Sequence, residues 1–393
     1  MLNQTALSKL IQKSKGYSTS VICCSNGNKD VYGTYEIISG FGAKKTFATP
    51  KSVPKSGLHL GICSYDLKKE FHQLTSENPG FTSFPDFFFF EPEHSYKEDH
   101  EGNITSSFDL NKADDVIFKK AKNIENWEAS LSKEEYLKAI AKIKGDIKNG
   151  AYYELNYCMH FSASISNELD IYSLFLEINE RTQSPFAAFV KINNSFLLCF
   201  SPERFLKKQN SILLSQPIKG TLKRQTPESN KRLESFINAP KERAENIMIV
   251  DLVRNDLSRI CKPNSVQVPE LCALKTFSHV HHLVSSVIGE LQNETSFEDI
   301  LEATFPMGSM TGAPKREVMQ HIEEYESFKR GLYSGSIGYI EDGNFDLNVV
   351  IRSLQVHHNK MHYCVGGAIV YDSIAEEEYQ ECIAKRNGIM NSD

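Results

Sequence analysis

The sequence predicts a mixed α and β fold in which strands and helices are interleaved along the chain. Three observations predict it. Short apolar runs of strand length recur between Gly, Pro, Asn and Ser punctuation, at residues 18–24, 35–40 and 58–65. Charged segments with helical periodicity separate later runs of this kind, as in Lys133–Lys148. The chain has 393 residues, 40% apolar and 24% charged, an ordinary balance for a folded globular protein with a sizeable core. At about 150 residues per domain this length means two or three domains or one large enzyme fold.

Up to about residue 120 the pattern is rich in strands. Phe87, Phe88, Phe89 and Phe90, bounded by Pro85-Asp86 and Glu91-Pro92, read as a strand covered on both faces. Residues 112–127 are charged and poorly periodic, which puts a boundary near 120 between a sheet-rich region, 1–120, and a second region, 121–393, intertwined with it in one large fold. Beyond the helix at Lys133–Lys148, strands are expected at 152–162, Phe186–Ile192 and 196–200, with a helix at 170–181. Residues 231–260 read as a long helical stretch whose second part has Pro240 in its first turn. Helices at 314–325 and 374–390 and a strand at 347–354 complete the reading.

Several function classes are excluded. Net charge is −6, with both signs mixed and no basic stripe with interleaved aromatics, so nucleic acid is not the expected partner. Nine cysteines show no C-x-x-C spacing and no His/Cys cluster of zinc type, which fits a reducing, cytoplasmic setting. The first sixteen residues are polar and of mixed charge, and no run approaches 18 apolar residues, so neither export nor a membrane span is expected.

The segment Pro217-Ile218-Lys219-Gly220-Thr221 holds a lysine between a proline and a glycine, just after the apolar run Ile212, Leu213, Leu214. A lysine at such a strand end is expected to point into a cleft, and as a nucleophile it needs desolvation or nearby cations to lower its ordinary pKa of about 10.4. A solvated turn lysine is the plainer reading of the pentapeptide alone. Two helices carry carboxylates three residues apart and so on one face: Glu242 with Glu245, and Glu378 with Glu381, the second followed at i+4 by Lys385. Solvated surface pairs are the commoner outcome for such spacings. Their company in this chain is a set of glycine turns: 308–315, opening a helix, 333–338, and Gly366-Gly367-Ala368. The first is not a P-loop, because Pro314 before Lys315 removes a donor that a phosphate cradle needs. With Arg352, these turns suit carboxylates better than a nucleotide. Paired carboxylates suit Mg²⁺, which binds through one or two of them plus waters and the substrate's own anionic group. His281-His282 reads as buried, where a satisfied core histidine is the commoner outcome.

Taken as an ordered set, PIKGT, KERAENIMIVDLVRNDLSR, FPMGSMTGAPK, YSGSIGYI, FDLNVVIRSL and EEEYQE resemble the chorismate-utilising enzymes, densely from about Lys133 to Lys385. The resemblance implies large antiparallel sheets stacked at the core with helices outside. Lys219 and the Met-Thr-Gly-Ala-Pro-Lys loop are similar to those of the branch that aminates chorismate to aminodeoxychorismate on the way to p-aminobenzoate and folate. Anthranilate and isochorismate formation remain alternatives, as does a chorismate-binding protein without catalysis. Isochorismate and salicylate synthases carry a water-activating lysine where this chain has Glu154, so by resemblance water is not the nucleophile.

The same resemblance implies that Glu245 and Glu381 hold Mg²⁺ with Glu242 and Glu378 nearby. It implies that Arg352, Gly366, Gly367 and Tyr333 receive the enolpyruvyl carboxylate, with Lys385 assisting. Ser309, Thr311 and His282 fall on active-site positions, Lys219 is the covalent nucleophile, and Glu203 is a candidate general acid. The chain shows no glutaminase nucleophile elbow, so a separate glutamine amidotransferase subunit supplying ammonia is the implied partner.

Overall fold

The structure, a computed structural model, describes residues 2–112, 124, 126–166, 168–224, 227–277 and 280–390. Every strand pairing in it is antiparallel, and the pairings form one long ribbon. It starts at Glu154–Ser164 and runs through Lys360–Ile369, Ser353–His357, Ser195–Ser201, Phe186–Ile192, Thr19–Cys24, Tyr35–Phe47, Phe87–Asp99 and Leu58–Cys63. It continues through Ser336–Glu341, Asn344–Asn348, Arg204–Gln209 and Ile212–Gln216 to Val280–Glu290. That last strand has Ile218–Lys223 on one edge, in line with Ile212–Gln216, and Gln267–Thr276 on the other. The two ends of this ribbon meet, because Lys219 near one end touches Glu154 at the other although their strands do not pair. That meeting places the candidate site.

Strands from both sides of residue 120 share the ribbon: Thr19–Cys24 lies between Tyr35–Phe47 and Phe186–Ile192, and Leu58–Cys63 pairs with Ser336–Glu341. The phenylalanine run behaves as a strand with two covered faces. Phe87 and Phe89 pack in one core cluster, and Phe90, with the half-buried Phe88, in another.

Helices form where the spacing put them, at Lys133–Lys148, Ile171–Thr182, Lys315–Tyr325 and Ala375–Met390. Ser132 and Glu135 close a capping box on the first, and the Asp170 side chain accepts the Tyr172 and Ser173 N–H groups at the start of the second. The 231–260 stretch is two helices, Pro227–Ile237 and Pro240–Ser258, the second with proline in its first turn.

Two features differ from the sequence reading. Leu2–Ser14 is a helix that buries Leu7, Leu10 and Ile11, an i, i+3, i+4 stripe hidden within polar composition. Residues 347–354 are not one strand. Asn344–Asn348 pairs with Ser336–Glu341 and Arg204–Gln209, whereas Ser353–His357 pairs with Ser195–Ser201 and Lys360–Ile369. The chain changes partners between them, and Arg352 sits in that passage with φ 49°, a left-handed backbone uncommon outside glycine.

Candidate active site

Lys219 owes its position to a β-bulge. The register against Val280–Glu290 shifts between Lys219, opposite Leu283, and Thr221, opposite His282, and the residue between is Gly220 with φ 74°. A Cβ at Gly220 would lie 2.8 Å from Glu242 Oε2 and 3.1 Å from the Phe236 ring, and the left-handed backbone at this position is what favours glycine. Lys219 Nζ stands 3.4 Å from Glu154 Oε1, with side-chain exposures of 11% and 1%. Burial alone pulls the amine's pKa down, but the nearby Glu154, Glu245 and Glu203 carboxylates outweigh it and push the pKa up. The lysine therefore rests as an ammonium ion, not as the pre-lowered amine that desolvation by itself would give.

Glu203 is buried beside it. Burial pushes its carboxyl up to about 7, against the opposing effects of a hydrogen bond from Ser309, the Lys219 charge, the Ile218 N–H and the Arg352 charge. Arg352 is the cation facing Glu203 and Tyr363, and among the described residues it makes no salt bridge with any carboxylate. Burial lowers its pKa. Arg204 and Arg330 contrast with it, the first paired with Asp30 and Asp346, the second with Glu326. His282 Nδ1 donates to the Gly220 carbonyl at 3.0 Å, and burial together with the Arg352 charge pulls its pKa down to about 4. It is a neutral imidazole.

The glutamate pairs sit on helices facing glycine positions. Glu242 lies against Gly220, and Glu378 lies where a Cβ on Gly367 would come within 3.3 Å of its Oε2. Ser373 Oγ donates to Glu378 Oε1 at 2.8 Å. Lys385 Nζ bonds the Gly366 carbonyl at 2.8 Å and Glu381 Oε1 at 2.8 Å. Gly366 admits no side chain, since a Cβ there would meet the Tyr157 carbonyl at 2.4 Å.

A buried loop completes the arrangement. Gly308–Met310 is a single 3₁₀ turn, and Gly312–Ala313 then pairs with Leu155 and Glu154, so the loop lies on the free edge of the Glu154 strand. Thr311 is fully buried and its hydroxyl donates to the Met307 and Gly308 carbonyls at 3.2 and 3.4 Å, which turns it into the loop. Tyr333 is also buried, and burial pushes its hydroxyl's pKa up.

The chorismate binding enzyme family model matches residues 11–391. This chain belongs to that family. It is 35% identical over 356 residues to aminodeoxychorismate synthase component 1 of Escherichia coli, covering 86% of this chain and 78% of the relative. It is 33% identical over 350 residues to anthranilate synthase component 1 of Saccharolobus solfataricus, covering 88% and 82%. Its fold superimposes on the crystal structure of anthranilate synthase component I from Streptococcus pneumoniae with a TM-score of 0.76 at 28% identity, over 86% of this chain and 82% of the other. The chain is thus a chorismate-utilising enzyme of mixed α and β fold built on large antiparallel sheets. No helix among the described residues is long and apolar enough to cross a membrane.

For a family member, the donor chemistry near Lys219 is a test of the Mg²⁺ expectation. Among the described residues no three His, Cys, Asp or Glu side chains converge into a metal cage. The donors are carboxylates on two helices, Glu242 against Gly220 on one and Glu378 against Gly367 on the other. Such a set fits a hard cation that takes one or two carboxylates and completes its shell with water and substrate oxygen.

Of the residues singled out in the sequence, Lys219, Glu203, Arg352 and Ser309 are brought together directly, with His282 next to them. Glu154, read from sequence only as the place of a missing lysine, is the ion-pair partner of Lys219; nothing local in the sequence pairs it with a lysine 65 residues away. Arg330 and Glu326, which tie this region together, carried no signal beyond an i, i+4 charge pair.

Proposed function

We propose that this chain is an aminodeoxychorismate synthase component I, converting chorismate and ammonia to 4-amino-4-deoxychorismate for p-aminobenzoate and folate synthesis. The observation that carries the reading is Lys219, set at a bulge beside the Glu154 and Glu203 carboxylates, with Arg352 facing Glu203 from another side. The similarity to relatives named aminodeoxychorismate synthase component 1 supports it.

In this reading Arg352 receives the enolpyruvyl carboxylate, with the backbone at Gly366 and Gly367, Tyr333 and Lys385 around it. Lys219 passes a proton to Glu154, whose second oxygen, Oε2, is buried without a hydrogen-bond partner among the described residues. The neutral amine attacks C2, both ring double bonds shift along the ring, and the C4–O bond breaks as Glu203 gives its proton to the departing hydroxyl. Ammonia then bonds to C4, both double bonds shift back, and the C2–Nζ bond breaks to release the lysine. Ser309 orients Glu203, and His282 and Thr311 shape the floor of the site. Mg²⁺ held through Glu245 and Glu381, with Glu242 and Glu378 nearby, would supply charge neutralisation at the ring carboxylate. A glutamine amidotransferase subunit supplies the ammonia, and nine free cysteines suit a reducing cytoplasm.

The test is product identification by liquid chromatography and mass spectrometry after incubating the purified chain with chorismate, Mg²⁺ and ammonium. Aminodeoxychorismate without anthranilate is expected. Anthranilate or isochorismate as the main product would overturn the assignment in favour of a sister activity, which the 33% identity to an anthranilate synthase keeps in view.

A further inference from the structure

Three consecutive carbonyl groups of the 308–311 loop are held by buried donors. Asn156 Nδ2 bonds the Ser309 carbonyl at 3.2 Å, Arg330 Nη1 bonds that of Met310 at 2.7 Å, and the Asn156 N–H bonds that of Thr311 at 2.8 Å. Asn156 is in turn held by the same arginine, whose Nη2 bonds the Asn156 carbonyl at 2.8 Å. The rest of the guanidinium is also used: Nε and Nη2 pair with the two Glu326 oxygens at 2.8 and 2.6 Å, and Nη1 reaches Ser334 Oγ at 3.3 Å. Glu326 Oε1 also accepts the Cys158 N–H at 3.0 Å, and the Tyr65 ring lies 4.7 Å from the guanidinium carbon. The Arg330 and Glu326 side chains are each 1% exposed. One planar cation thus joins the strand that bears Glu154, the loop that bears Ser309, and the turn that bears Tyr333, while touching none of the reacting groups.

We propose that Arg330, oriented by Glu326, is a positioning residue that fixes the 308–311 loop so that the Ser309 hydroxyl meets the Glu203 carboxyl. Its five N–H groups all have acceptors in a single plane, which no other side chain reproduces. A lysine there keeps the charge opposite Glu326 but offers a tetrahedral ammonium in place of the fork, so it cannot hold Met310, Asn156 and Glu326 together. The loop then loses its central carbonyl anchor, and Ser309 loses its alignment.

The inference rests on the reading that this site transforms chorismate, whichever product it makes, so the activity readout is chorismate consumption. Arg330→Lys is expected to lower kcat/KM about 100-fold, the scale of a misplacement near 1 Å. Adding Ser309→Ala to it is expected to cost little more, because both changes break the same contact. Millimolar guanidinium is expected to restore part of the activity of Arg330→Ala, and methylammonium is not. Multiplying defects in the Arg330→Lys, Ser309→Ala cycle, or full activity in Arg330→Lys, would overturn the proposal. Hydrogen exchange on wild type and Arg330→Lys decides it independently of turnover. The Met310 and Thr311 amides, which bond the Met307 and Gly308 carbonyls at 3.1 Å, are expected to lose protection while Val280–Glu290 keeps its own. Unchanged protection in the loop would sink the idea even if the chain consumed no chorismate.

Discussion

Two cation–carboxylate pairs, Arg330 with Glu326 and Lys219 with Glu154, both touch the strand Glu154–Ser164 and behave in opposite ways. The first is saturated: the shortest contact is 2.6 Å, both side chains are 1% exposed, and every guanidinium N–H has an acceptor. The second is open: the contact is 3.4 Å, the lysine is 11% exposed, and Glu154 Oε2 is buried without a hydrogen-bond partner among the described residues. Desolvation is expensive for both, and only complete hydrogen bonding offsets it. A saturated pair fixes architecture, whereas an open one leaves a carboxylate oxygen for a third party. The substrate is the natural candidate for that third party.

The sharpest way to break the comparison is Lys219→Ala. Loss of a covalent nucleophile is expected to cut chorismate turnover by at least about 1,000-fold, roughly 4 kcal/mol of transition-state stabilisation. The mass of acid-quenched wild-type enzyme should include a chorismate-derived adduct on the peptide containing Lys219, and the variant should show none. Retained turnover would remove the lysine from the chemistry. The matching change in the saturated pair is Glu326→Gln, which leaves a buried guanidinium without its counter-charge. Its expected effect is a stability loss of about 3–5 kcal/mol in urea unfolding. A variant as stable as wild type would show that the saturated pair is not structural.

The contrast between the pairs also marks what the sequence could reveal. Lys219 was legible because Pro217 and Gly220 flank it, and the structure shows why: the glycine makes the bulge that aims the lysine. Glu242, Glu245, Glu378 and Glu381 were legible as helix faces, but nothing in the sequence placed Glu242 against Gly220 or Glu378 against Gly367. Arg352 was read on a strand because an apolar run continues through it, and nothing local reveals that the strands before and after it belong to different neighbours. Arg330 was invisible for a similar reason, since its acceptors lie at Met310, Asn156 and Glu326, and two of these are backbone carbonyls whose positions depend on tertiary structure. Most strands and helices were readable from period, while the closure of the ribbon that brings residue 154 to residue 219 was not.

Glu203 gives a medium-sized test of the open side. With its carboxyl pushed up to about 7, the acid form predominates below that pH and is lost as pH rises through it. If Glu203 protonates the leaving hydroxyl, kcat/KM should fall with a slope of about −1 per pH unit above the neutral range, tenfold for each unit. Glu203→Gln should remove that limb and leave a low, flat profile. An alkaline limb that persists in the variant would assign it to another group.

The smallest effect belongs to a third buried pair, which carries no charge at all. His160 Nε2 and His362 Nδ1 lie 3.0 Å apart, so one ring donates to the other, and Phe81 stacks on them at 4.4 and 4.8 Å between centroids. Burial pulls the two pKa values down, to about 3 and about 4, from the ordinary histidine value near 6.5. Between about pH 6.5 and 4 the unfolded chain therefore binds protons that the native pair refuses, and stability declines as pH falls through that window. His160→Gln keeps a hydrogen-bonding side chain in place of a titrating one, so the drop in Tm between pH 7 and pH 5 should shrink by a few degrees or less relative to wild type. An identical drop in both proteins would mean that acid sensitivity arises elsewhere. A smaller drop would place this neutral pair with Arg330 and Glu326 on the architectural side, and leave the Lys219–Glu154 pair as the one of the three built incomplete.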